Sequence, residues 1–413
     1  MALDPEELKR KRREKQQQRE KKRRQTLVKM IVAACILVVS AVVIIVVVSS
    51  APKAPATTPE NTTLSQQTEP STTVVHLAAV GDLNITEKVI ASGGDEYDYT
   101  KTFLDVAPIL AQADITALNF EGNLFGEIDG ADHAAPQGLA QSLANAGVDL
   151  VQLANSFSIY KGMDGLSSTI SGIRSAGMEP LGVYESAAAA RKGKGYVIRN
   201  VQGVKIAFVA FTKGMDGMAL PAGNDGCVNL LYSDYSSDYQ KINTEGITKV
   251  LAAAEKEKPD IVVAFLHWGS EYNDTVSASQ TEICTLLQEN GVDAILGTHS
   301  HYIQPIEYNA DSGSLVAYSL GDFLGDAPRA GSEYSIILDL EITKDLSSGK
   351  AKITNFSYTP IFICNEKDAP SRVVRIQEAM AAYDSGYIDR VSEETYNAMA
   401  YALERIENRI NGK

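Results

Sequence analysis

The chain has 413 residues, 22% of them charged, and Asp plus Glu outnumber Lys plus Arg by 52 to 38. The net charge of −14 is unevenly spread: residues 1–29 carry +7, which leaves −21 on the remainder. So acidic a body argues against nucleic acid as a partner, since phosphate backbones are held by clustered Lys and Arg. The four cysteines (Cys35, Cys227, Cys284, Cys364) show no CxxC spacing, which argues against a disulfide framework or a structural zinc.

Residues 1–26 form a basic head. Residues 27–48 are apolar apart from Lys29 and are predicted to be one transmembrane helix, because a run of about twenty residues at 1.5 Å each spans a bilayer. Twelve basic residues in the first 29 against the single Lys53 soon after the span put the head in the cytoplasm and everything after the span outside. Two rival readings stand beside this one. A cleaved signal peptide is the first, although the apolar run exceeds the roughly 7–15 residues of such a core. Lipoprotein processing at Val32-Ala33-Ala34-Cys35 is the second, although the run continues well past Cys35. Residues 49–73 are rich in Ser, Thr, Pro, Ala and Gln and read as a disordered tether. A folded domain over 74–365 and a helical segment over 366–413 complete the predicted organisation.

Within the domain, strands are predicted at 74–81, 115–120, 148–154 and 179–183, with helices at 99–113, 136–146 and 163–176 between them. A hairpin follows at 195–211 around Gln202-Gly203, then a long helix at 238–258. Ile261–Leu266 and Asp293–Leu296 are short apolar runs joined by a helix-like stretch, a strand–helix–strand unit with both C-terminal ends on one edge. Further strands are predicted at 303–308, 315–320, 334–343 and 351–359. Alternating strands and helices followed by paired strands make this an α/β fold.

Three of the five histidines lie at that shared edge: His267, His299 and His301. Read as an extended segment, His299 and His301 aim two imidazoles at one spot. Asp82, Glu121 and Asn155 also fall at predicted strand ends, and open α/β sheets hold ligands at such edges. Carboxylates with imidazoles suit Mn, Fe or Zn, and such ions clamp phosphoryl groups and activate water. Asp82, Glu121, Asn155, His267, His299 and His301 are therefore the candidate metal ligands, and His267 and His299 the candidate catalytic residues.

Several blocks in order carry a family resemblance: Val80-Gly81-Asp82, Asn119-Phe120-Glu121-Gly122, Leu153-Ala154-Asn155, His267-Trp268-Gly269, Gly297-Thr298-His299-Ser300-His301 and Tyr318-Ser319-Leu320-Gly321-Asp322-Phe323. Over residues 74–362 the chain resembles the poly-γ-glutamate capsule-synthesis (CapA) proteins of the calcineurin-like metallophosphoesterase superfamily. The resemblance implies a four-layer α/β/β/α sandwich, a divalent metal, and a role in making, exporting or anchoring an anionic capsule polymer beside synthase subunits. It also exposes departures. Where the family continues Asn-Asn-His and then Asp, this chain has Asn155, Ser156, Phe157 and later Tyr160; Asp322 replaces an Asn. In the superfamily that His protonates the leaving group, which Phe157 cannot do. Two expectations result: a metal-dependent phosphoesterase-like hydrolase, or a degenerate subunit that binds polymer or partners. A cell-envelope role unrelated to capsule is a third.

Overall fold

The computed structural model describes residues 71–125, 133–367, 369–387 and 391–413. The basic head, the apolar stretch 27–48 and the tether up to residue 70 lie outside the described residues. No helix among the described residues is long and apolar enough to cross a membrane.

Two sheets form the body. The chain begins with β1 (Thr72–Asn84), β2 (Ile115–Glu121), the small pair β3 (Asn123–Leu124) and β4 (Ala134–Ala135), β5 (Leu150–Gln152) and β6 (Glu179–Leu181). It then makes β7 (Tyr196–Val201), β8 (Val204–Thr212), β9 (Ile261–His267), β10 (Ala294–Thr298), β11 (Ile306–Asn309) and β12 (Ser314–Ala317). It returns through β13 (Asp322–Leu324), β14 (Tyr334–Asp345), β15 (Ala351–Cys364) and β16 (Arg372–Arg375). The first sheet has the order β16-β15-β14-β1-β2-β5-β6, with β13 beside the end of β1; the second has the order β11-β12-β10-β9-β8-β7. In the first sheet β1, β2, β5 and β6 are parallel, and in the second β8, β9, β10 and β12 are. Parallel strands buried on both faces need apolar residues at consecutive positions, and β2 and β9 are buried at every position.

The longer helices are α1 (Gln137–Ala146), α2 (Gly162–Ser175), α3 (Thr244–Glu255), α4 (Ala278–Glu289), α5 (Ile376–Asp384) and α6 (Glu393–Ile410). Leu77, Ala79, Phe208, Val263 and Leu338 meet between the sheets. Leu139, Leu143, Ile170 and Ile173 of α1 and α2 cover the other face of the first sheet. Ile247, Leu251, Ile283 and Leu287 of α3 and α4 cover the other face of the second. The layers therefore run helix, sheet, sheet, helix, because each sheet buries one face on its partner and the other under helices.

Local chemistry moved some boundaries. The helix expected at 99–113 is two single turns, Thr100–Phe103 and Ala107–Leu110, because Pro108 lacks the N–H and its ring clashes with the preceding turn. The helix expected at 238–258 starts only at Thr244. Before it, the Asp234 carboxylate accepts from the N–H groups of Gln240 and Lys241 and closes a loop, and Asn243 caps α3 by accepting from Gly246 N at 3.1 Å. The expected strand 303–308 begins at Ile306. The C-terminal stretch supplies β16 to the first sheet, and Met399, Ile406 and Ile410 of α6 join the core between the sheets. Full burial of such side chains is worth about 1.5–3 kcal/mol each, so α6 is part of the fold.

Candidate metal centre

The C-terminal edges of both sheets meet at one place. Asp82 lies opposite Asn119 in β2 and opposite Asp322 in β13. That approach depends on Gly81: a Cβ there would stand 1.7 Å from Gly321 O. In the second sheet His267 pairs with Thr298 of β10 and Thr212 of β8. The two edges are joined by the His299 backbone N–H, which donates to Asp82 Oδ2 at 2.8 Å.

Three carboxylates, Asp82, Glu121 and Asp322, are buried here with His267 and His299, and His301 lies half-buried beside them. Among the described residues no Lys or Arg forms an ion pair with any of the three acids; His267 and His301 are their only such neighbours. Asn119 Nδ2 donates to Asp82 Oδ1 at 2.6 Å and to Glu121 Oε1 at 2.7 Å, holding the two acids a fixed distance apart. Asn84 Nδ2 donates to Asp322 Oδ1 at 3.0 Å, and His301 Nδ1 lies 2.8 Å from the same oxygen. Ligand atoms of Asp82, His301 and Asp322 all fall within 4.8 Å of one another.

His267 shows what this cluster is built for. The Thr212 hydroxyl donates to Gly214 O at 2.8 Å, so its oxygen accepts the Nδ1–H of His267 at 3.0 Å. That hydrogen bond orients the ring and turns Nε2 toward the carboxylate cluster. Nε2 is fully buried, makes no hydrogen bond, and lies 2.8 Å from Glu121 Oε1. A buried imidazole in contact with a buried carboxylate, beside two further acids and two further imidazoles, makes a donor set that fits a divalent cation.

Burial and mutual repulsion decide the protonation of the rest. Burial, with the charges of Glu121 and Asp322, pushes the Asp82 carboxyl up to about 7. Burial also raises Asp322, against the opposing pull of His301. Burial disfavours a charged His301, but the charge of Asp322, its hydrogen bond, and the charges of Asp82 and Glu121 outweigh it and hold His301 at about 10. Burial takes His299 well below the usual histidine range, with the neighbouring imidazoles and Lys213 adding to the shift.

The family model described as "Bacterial capsule synthesis protein PGA_cap" matches residues 76–327. The chain belongs to this family. It is similar to the PGA biosynthesis protein CapA of Bacillus subtilis (strain 168), 26% identical over 314 residues, 72% of this chain and 74% of that one. It is also similar to the capsule biosynthesis protein CapA of Bacillus anthracis, 25% identical over 286 residues and 64% of each chain. Among solved structures, a phosphatase from Mycoplasma pneumoniae overlays 70% of this chain and 94% of its own, at 13% identity and a TM-score of 0.43. That overlay is too loose to bear on the reaction.

Five of the six residues expected as ligands in this PGA_cap chain converge: Asp82, Glu121, His267, His299 and His301. Asn155 is nearby but committed elsewhere. Its Nδ2 donates to Asn119 Oδ1 and Phe120 O, and its Oδ1 accepts from Phe157 N. The geometry expected of His299 and His301 is not the observed one. β10 ends at Thr298, His299 has φ +90° and His301 φ +58°, and their rings are 6.3 Å apart and tilted by 49°. They reach the site through a tight left-handed loop, a costly conformation that concentrates at functional sites.

Sequence reasoning missed Asp322 as a candidate ligand; it opens β13, which runs beside the end of β1. It also missed Thr212, Asn119 and His133. His133 lines a cavity of about 250 Å³ together with Glu121, Ser156, Phe157, His299, His301 and Asp322.

Proposed function

We propose that this protein is membrane-anchored through residues 27–48, exposes its folded body outside the cytoplasm, and acts in synthesis, export or anchoring of an anionic capsule polymer of poly-γ-glutamate type. Its cavity is a divalent-metal site that hydrolyses phosphoester bonds. The observation that carries the catalytic part is the gathering of three buried carboxylates with three imidazoles at one edge, His267 Nε2 lying 2.8 Å from Glu121 Oε1 and ligand atoms of Asp82, His301 and Asp322 within 4.8 Å of one another. Glu121, His267 and His299 would hold one ion, of Mn, Fe or Zn type, and Asp82, His301 and Asp322 offer places for the same or a second ion. A bound ion supplies charge compensation and an activated water. The chain's own residues do the rest: Thr212 orients the His267 ring, Asn119 spaces two acids, and Asn84 orients Asp322. The family, and the capsule role in the names of its relatives, support the polymer assignment and point to synthase subunits in the same membrane as partners.

The test uses the full chain purified in detergent. One or two equivalents of metal are expected, with hydrolysis of bis(4-nitrophenyl) phosphate, and both are expected to fall in Glu121→Gln, which keeps the side-chain shape. Protease added to intact cells should reach the body. Phe157 favours a second reading, a degenerate scaffold that binds polymer or subunits. Absence of metal after loading with manganese, zinc or iron, together with absence of hydrolysis, would establish that reading and end the first.

A further inference from the structure

Breaking a phosphoester needs a proton for the departing oxygen. The imidazoles of His267, His299 and His301 are engaged in the carboxylate cluster, and Phe157 has no proton to give. The same cavity contains one more imidazole. The His133 ring stacks on Phe157 with centroids 3.5 Å apart and planes within 11°, and meets the edge of Tyr160 at 5.1 Å. A histidine ring therefore lies one ring thickness from the aromatic ring of residue 157, on the wall of the cavity that Glu121, His299, His301 and Asp322 also line.

The placement is built by the fold. His133 N donates to Ile85 O and His133 O accepts from Asn123 N, each at 2.8 Å. These two bonds bind the residue between the end of β1 and β3. They hold it at φ +63°, a conformation that an L-residue adopts only when its surroundings impose it. Phe157 and Tyr160 hold the ring by stacking and by an edge contact on the wall of the cavity that the carboxylate cluster also lines.

We infer that His133 is the proton donor to the leaving group in this cavity, an inference that rests on the hydrolytic reading above. In the step, the water oxygen forms its bond to phosphorus and releases a proton to solvent. The ester P–O bond breaks with its electron pair on the leaving oxygen, and the His133 imidazolium proton passes to that oxygen. The neutral imidazole then recovers a proton from solvent, so charge and atoms balance over a turnover. Stacking on Phe157 and Tyr160 sets the ring plane, so the aromatic residue at 157 serves as a platform for the donor.

The experiment compares His133→Asn with the unaltered full chain on two diesters. Bis(4-nitrophenyl) phosphate has a leaving group that departs without a proton; glycerophosphoglycerol has an alkoxide that needs one. A loss of about 10²–10⁴-fold on the alkyl diester is expected. Less than about tenfold is expected on the nitrophenyl diester, with metal equivalents unchanged. Adding Phe157→His to His133→Asn should restore the alkyl activity, because it returns an imidazole to the adjoining ring position. Equal loss on both substrates, loss of bound metal, or no loss at all overturns the assignment. An unaltered chain that hydrolyses neither diester removes the hydrolytic reading and this inference together. An active chain indifferent to His133→Asn removes this inference alone.

Discussion

The molecule contains two His–Asp pairs of almost equal length in very different settings. His301 and Asp322 are 2.8 Å apart with side chains 15% and 2% exposed; His76 and Asp339 are 2.9 Å apart with side chains 46% and 33% exposed. At the buried pair, water cannot dilute the interaction, so each group answers to every charge in the cluster and His301 is held at about 10. At the exposed pair the hydrogen bond to Asp339 raises His76, solvent screens the rest, and no cluster forms. Contact distance alone does not make a site. Burial beside further buried acids does.

Arg409 gives the largest way to break this contrast. It lies with its guanidinium 4.4 Å from the Tyr302 ring centroid and 5.2 Å from that of Tyr334, and its Nη1 donates to Gly331 O at 3.0 Å. It thus ties α6 to the residue that follows His301. A desolvated cation over a ring is worth roughly 0.5–2 kcal/mol and a charged hydrogen bond roughly 1.5–3. Arg409→Ala is therefore expected to cost about 2–4 kcal/mol by urea unfolding, and to loosen the His301–Asp322 pair so that metal dissociates faster. Arg409→Lys should recover part of the stability and little of the metal retention, since an ammonium lacks the planar fork. Full stability in Arg409→Ala would show that α6 does not brace the site.

Asp322→Asn comes next. It keeps the shape and an oxygen for Asn84 and His301 but removes one of three buried charges. If Asp322 helps hold metal, affinity should fall about 10–100-fold by chelator competition. Unfolding stability without metal should fall, because removing one partner of a buried ion pair leaves His301 without the charge that does most to keep it protonated. The equivalent change at the exposed pair, Asp339→Asn, should leave metal affinity where it was. Equal metal affinities for Asp322→Asn and the parent would confine the centre to the other acids.

The acid and histidine side of the cavity was legible in the sequence because each candidate ligand follows an apolar run. Asp82, Glu121, His267, His299 and His301 could be placed at one edge from strand periodicity and the parallel connection, with no side-chain detail. Asp322 was visible only as a departure from the family's Asn, since its closeness to Asp82 depends on Gly81 and Gly321 letting two backbones touch. His133 was not legible. It follows no strand, and the distance that matters, 3.5 Å to Phe157, comes from a left-handed backbone held by β1 and β3. The same holds for helix lengths, where Pro108 and Asp234 acted through local hydrogen bonding that apolar periodicity does not register.

The smallest effect is expected at His76. Its hydrogen bond to Asp339 raises the histidine despite slight burial, with the charges of Asp339, Glu341 and Asp114 adding to it. A histidine raised on folding binds its proton more tightly in the folded than in the unfolded state. It adds stability below the unfolded value of about 6.5, and that contribution is lost as pH climbs through the folded value. Because the pair is exposed, the contribution belongs at the lower end of the roughly 0.2–1 kcal/mol seen for surface pairs. The difference in unfolding free energy between the parent and His76→Gln should thus be a few tenths of a kcal/mol at pH 5.5 and shrink toward zero by pH 8.5, and 1 M salt should erase most of it. A difference that grew with pH would mean that His76 is stabilised neutral, and that the two pairs differ in kind as well as in exposure.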